Sequence, residues 1–221
     1  MPNPYQEILD DAFDAGTDLN VIRGVSEGVL LADLTLESHP FLRSQVGKDL
    51  RGHLRRSAIL YRLHGMCAAG DLPFSSTMSK MPKGNWHWVE FRSGNVVAHV
   101  CRTDGPDLFP VDTPTRQEDR HTNQGDLFLD KSNVVPLRGL TTWLMFGAGD
   151  GGALAHLCWG MPRAKENDWL ARTNILRRAA HSESEAKVES PSPSVVLKFK
   201  SHIEESLKDK DDKSGDGDLP A

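Results

Sequence analysis

The chain has 221 residues, 38% of them hydrophobic and 26% charged, with a formal net charge of −5. That length suits one domain with a tail, or at most two small domains. No run approaches the roughly 18 to 20 consecutive apolar residues of a membrane-spanning helix, so an integral membrane role is excluded. The charge is uneven: ten acids and six bases follow Arg178, leaving the rest nearly neutral. A globally basic nucleic-acid binder is excluded, whereas a local basic patch is not.

Residues 4 to 15 have the spacing of a short amphipathic helix, with Ile8, Leu9, Ala12 and Phe13 near one face and Gly16 as its stop. Val21 to Leu36 fits either a strand or a helix, because Gly24 and Gly28 interrupt it. Pro40 suits a first helical turn, and the pattern from there to about His64 predicts one long helix. Trp86 to Phe91 and Val96 to Arg102 are rich in β-formers and are joined by Arg92-Ser93-Gly94-Asn95, a hairpin signal in which either Ser93-Gly94 or Gly94-Asn95 fills the two-residue turn. Residues 103 to 123 hold three prolines and no apolar period, which predicts a long loop. Leu127 to Leu129 is a short strand candidate. Thr141 to Phe146 and Leu154 to Trp159 predict a second hairpin around Gly147 to Gly152, and Trp169 to Leu176 either continues the sheet or closes as a helix.

After Arg178 the composition turns to Ser, Glu, Lys and Pro, which cannot bury enough apolar surface to offset its ordering entropy. The expectation is an α+β domain over 1–178, with N-terminal helices packed on an antiparallel sheet built from hairpins. A flexible acidic tail over 179–221 follows, with a candidate helix at 195–207. The three cysteines, Cys67, Cys101 and Cys158, are too sparse for a CxxC zinc or redox site or a disulfide framework. Together with an opening Met1-Pro2-Asn3-Pro4-Tyr5 that lacks the pattern of a secretory signal, they lead to the expectation of a reduced, cytoplasmic protein.

Four arrangements carry possible chemistry. On a continuous helix, Lys48, Arg51, Arg55 and Arg62 fall within a sector of about 60°, with Leu50, Leu54, Ala58 and Tyr61 turned to the core. Such a stripe suits phosphates or an acidic protein, or is simply a solvated face. The first hairpin puts Trp86, Trp88, Glu90 and Arg92 on one face. With Gly94-Asn95 as the turn, Glu90 lies opposite His99, beside Cys101. That group reads as a general base with its orienter, as ligands of a metal, or as a structural cross-strand pair.

The loop from Asp104 to Asp126 is dense in ionisable groups, including His121. A nuclease-like set of Asp71, Glu90 and Arg92 lacks the lysine such a core wants. Gly147-Ala148-Gly149-Asp150-Gly151-Gly152 matches GxGxxG, but no βαβ unit surrounds it, and a glycine-rich hairpin loop explains it. HExxH, GxSxG, Walker and EF-hand motifs are absent.

The reading is therefore a soluble accessory or regulatory binding protein. Lys48, Arg51, Arg55, Arg62, Trp86 and Trp88 would hold an acidic protein or nucleic acid. No cofactor is assigned and no membrane is involved. The rival is a metal-dependent hydrolase or nuclease centred on residues 86–126, with Glu90 and His99 as catalytic candidates and Glu90, His99 and Cys101 as metal ligands.

Overall fold

The two glycines that leave residues 21–36 ambiguous in sequence have a packing role. The computed structural model describes residues 2–80, 87–123, 139–149 and 153–186, with side chains to residue 182. In it Asp18–Ser38 is one helix, α2, which follows α1 (Pro4–Ala12) and a single 3-10 turn. A methyl group on Gly28 would stand 2.6 Å from the Ile59 Cα, and one on Gly24 would meet Leu63 and Met66 at 2.7 Å. Glycine at these positions lets α2 lie directly on the long helix α5 (Arg51–Ala69). The helix cost of about 1 kcal/mol per glycine is offset by closer packing of Val21, Val25 and Val29 against Ile59, Leu63 and Met66, all buried.

The single helix expected from Pro40 to His64 is three pieces: α3 (Pro40–Arg43), α4 (Gln45–Asp49) and α5. The chain breaks at Ser44, which is extended and caps α4 by accepting from the Gly47 amide. Gly47 in turn sits against the Leu42 backbone. The core face of α5 is also rotated from the expected one. Arg55, Ile59, Leu60, Leu63 and Met66 are buried, whereas Leu50 and Tyr61 are exposed.

Strands β1 (Ser75–Lys80), β2 (His87–Ser93), β3 (Val96–Arg102), β4 (Leu140–Ala148), β5 (Leu154–Pro162) and β6 (Trp169–Asn174) form one sheet in chain order. All neighbours are antiparallel except β3 and β4, which are parallel. A parallel pair needs a crossover, and that crossover includes α6 (Pro114–Thr122). Here the expected loop is a helix, started by Pro114 and capped by Thr113, whose hydroxyl accepts from the Arg116 amide. Strand β1 had no apolar alternation to announce it and is mostly exposed.

Both expected hairpins form. Ser93 pairs with Val96 around Gly94-Asn95, with Gly94 at φ +54°, and β4 pairs with β5. The segment from Trp169 is first a strand and then α7 (Ile175–Ala186).

Helices α1, α2 and α5 cover one sheet face, where Val89, Phe91, Ala98, Val100, Leu144, Phe146 and Trp159 join the helical side chains in one core. The opposite face carries Cys101, Trp143, Met145 and Cys158, with Phe109 and Trp169 packed on them. The ordered helix α7 passes the expected boundary at Arg178, and Ala179 is buried. Trp86, the 127–129 strand, Asp150 to Gly152 and the tail from 187 with its 195–207 helix lie outside the described residues. No helix among the described residues is long and apolar enough to cross a membrane.

Candidate functional site

Of the four cations of the expected stripe, three stay on α5 and Lys48 falls on α4. Lys48 is exposed on α4, and Arg51 opens α5. Arg55 is buried: its guanidinium makes a two-pronged pair with Asp33 at 2.7 and 2.9 Å and donates to the Ala148 and Gly149 carbonyls. That is a strut between α5, α2 and the end of β4. Arg62 is exposed and paired with Glu27. Lys48 leaves the expected face because the helix ends at Asp49, and Arg55 leaves solvent because the core face of α5 includes it.

The hairpin candidates do come together. The register that puts Ser93 opposite Val96 carries Phe91 opposite Ala98, where the β2–β3 ladder ends. Beyond that pair β2 stays with β1, while β3 stays with β4. The Val100 carbonyl, on the free stretch of β3, accepts from Arg56 Nε at 3.2 Å. Glu90 Oε1 therefore stands 3.8 Å from His99 Nε2, too far for a hydrogen bond. The imidazole's partner is instead Asp119 of α6, whose Oδ2 is 2.9 Å from His99 Nδ1 and also accepts from buried Trp143 Nε1 at 3.0 Å. Trp88 stacks on the His99 ring, with centroids 5.2 Å apart. Asp119 was one acid among many in the expected loop. The Thr113-Pro114 helix start was the signal that could have lifted it out.

Where β2 and β3 part, a cavity of about 500 Å³ opens between α5, the two strands and α6. Arg56, Cys101, Arg116 and Asp119 line it together with His53, Tyr61, Met78, Trp88 and His99. Burial lowers the pKa of Arg56; the Cys101 thiol counters this, and the nearby Arg116 lowers it further. Burial likewise pushes the Cys101 thiol up, with Arg116 beside it pulling the other way. Held toward its protonated form, Cys101 is a poor nucleophile in the cavity wall. Among the described residues no three His, Cys, Asp or Glu side chains converge as metal donors. Glu90, His99 and Cys101 line up along one face without closing on a common point.

Asp71 is exposed and bound to Arg23 on α2, and Arg92 is 3.9 Å from Glu90. The nuclease-like trio is not assembled around Asp71. Comparison of the chain with protein-family models, with curated proteins and with solved structures finds no match in any of them.

Proposed function

We propose that this is a binding protein that takes an anionic group of its partner into the cavity between α5 and the parted strands. The observation that carries this is a charge imbalance. Arg56 and Arg116 line one cavity, and among the described residues neither forms an ion pair with a carboxylate. Asp119, the acid nearest at hand, is engaged by His99 and Trp143. A half-buried guanidinium without a counter-charge is costly, and an incoming carboxylate or phosphate would supply one through charge-assisted hydrogen bonds. Recognition thus moves from Arg55 and Arg62 to Arg56 and Arg116.

A second reading, an acid–base hydrolase, draws on the Asp119–His99 pair, because a carboxylate holding Nδ1 orients an imidazole as a general base. The binding reading is preferred because Nε2, the nitrogen that would take the proton, is fully covered.

The test compares the wild type with R56Q/R116Q on heparin and by titration with anionic probes. A protein of net charge −5 binds such probes only through a local cationic site. Loss of about tenfold or more in affinity, or 1.4 kcal/mol, is expected in the double variant. Equal binding by the two proteins would sink the reading.

A further inference from the structure

The same cavity suggests which kind of anion. Resting on the binding reading above, we infer that the occupant is a phosphorylated nucleoside, with its phosphate on Arg56 and Arg116 and its base against Tyr61, Met78 and Trp88.

The cavity has two unlike ends. Its cationic end holds Arg56, which spends Nε on the Val100 carbonyl and leaves both terminal nitrogens of the fork. Arg116 joins it, anchored through one nitrogen to the Val111 carbonyl. Two guanidinium groups lining one recess match the charge and donor chemistry of a phosphate. At its exposed rim Tyr61, 70% exposed, and Met78, 53% exposed, stand among the polar residues His53, Ser57, His87 and Thr113. Large apolar side chains that remain in water beside a charged recess are what a flat, weakly polar ring would cover.

The volume of about 500 Å³ lies in the range of small-molecule sites. An Asp or Glu side chain, or an inorganic phosphate, would fill only the cationic end and leave Tyr61 and Met78 uncovered.

The source is either a free nucleotide or one nucleotide of a single strand, and calorimetry on the full chain separates them. The probes are AMP, adenosine, pyrophosphate, a 5′-phosphorylated octathymidylate and an octaglutamate peptide. The variants are R116Q and Y61A, both at partly or fully exposed side chains, so that folding is preserved. The expected result is AMP binding that falls about tenfold in R116Q and roughly fivefold or more in Y61A, the effect of losing one stacked base. Oligonucleotide binding with the same two losses and no AMP binding supports the inference with a strand as the source.

Pyrophosphate binding as tight as AMP and unchanged by Y61A overturns it. So does octaglutamate binding in the absence of nucleotide binding, although the anionic-partner reading then stands. If none of the five probes binds, both fall.

Discussion

His99 and Asp119 sit on different elements, β3 and α6, and meet at 2.9 Å between Nδ1 and Oδ2. The same carboxylate oxygen accepts from buried Trp143 Nε1, so one side chain fixes an imidazole, an indole and the position of α6 on the sheet. Asp119→Ala would orphan two donors, each costing about 1–3 kcal/mol. For a chain of this size about 2–4 °C of melting temperature goes with each kcal/mol. A loss below about 3 °C by calorimetry would mean that the pair does not hold α6.

A second buried acid closes the chain on itself. Asp18, 1% exposed, takes a two-pronged pair from Arg178 of α7 at 2.7 and 2.8 Å, and Arg178 also donates to Asp10 and the Phe13 carbonyl. Burial works against the Arg178 cation, but the Asp18 hydrogen bonds and charge more than reverse it, holding the guanidinium above its ordinary value. Removing either partner strands a buried charge, at about 3–5 kcal/mol. Urea unfolding should show Asp18→Ala and Arg178→Met each losing that much. The double variant should lose less than the two combined; simple additivity would contradict a direct pair.

The glycines give two substitutions of opposite sign. Gly28→Ala drives a methyl group into the Ile59 backbone and should destabilise by about 1–3 kcal/mol. Gly65→Ala, on an exposed face of α5 with nothing within 4 Å, should stabilise by about 0.5–1 kcal/mol. Denaturant midpoints of the two variants check both signs.

His156 makes stability depend on pH. Burial lowers its pKa from the ordinary 6.5, and Asp104 and Asp107 pull it back only in part. Its ring stays hydrogen-bonded to Thr103 Oγ1 at 2.8 Å. As pH falls below about 6.5 the unfolded chain takes up a proton at this site before the folded one does. Stability therefore drops from that point down to the folded pKa, with no contribution at higher pH. Melting temperatures between pH 5 and 8 should fall less steeply on the acid side for His156→Gln than for the wild type. Parallel curves would remove His156 as a source of the slope.

The α+β class and the two hairpins were legible in the residues themselves, and the choice between Ser93-Gly94 and Gly94-Asn95 as the turn was settled by the pairing of Ser93 with Val96. Alternation and turn chemistry act over a few positions, so a single strand pair records them locally. The phase of α5 was not legible, because Leu54, Ala58, Ile59, Leu60, Tyr61 and Leu63 surround most of the helix and only contact with α2 selects the buried side. An arginine reads the same in sequence whether it is locked to Asp33, as Arg55 is, or lines a cavity whose one acid, Asp119, is bound to His99 and Trp143, as Arg56 does. Helix α6 hid in a polar stretch, since its few core contacts come from Asp119, Arg120 and the flanking Asn123, whose partners lie on β3, β4 and the chain after β5. The parting of β2 from β3, and with it the cavity, follows from which neighbour each strand keeps. That competition between distant segments for the same backbone groups leaves no mark in the local sequence of any of them.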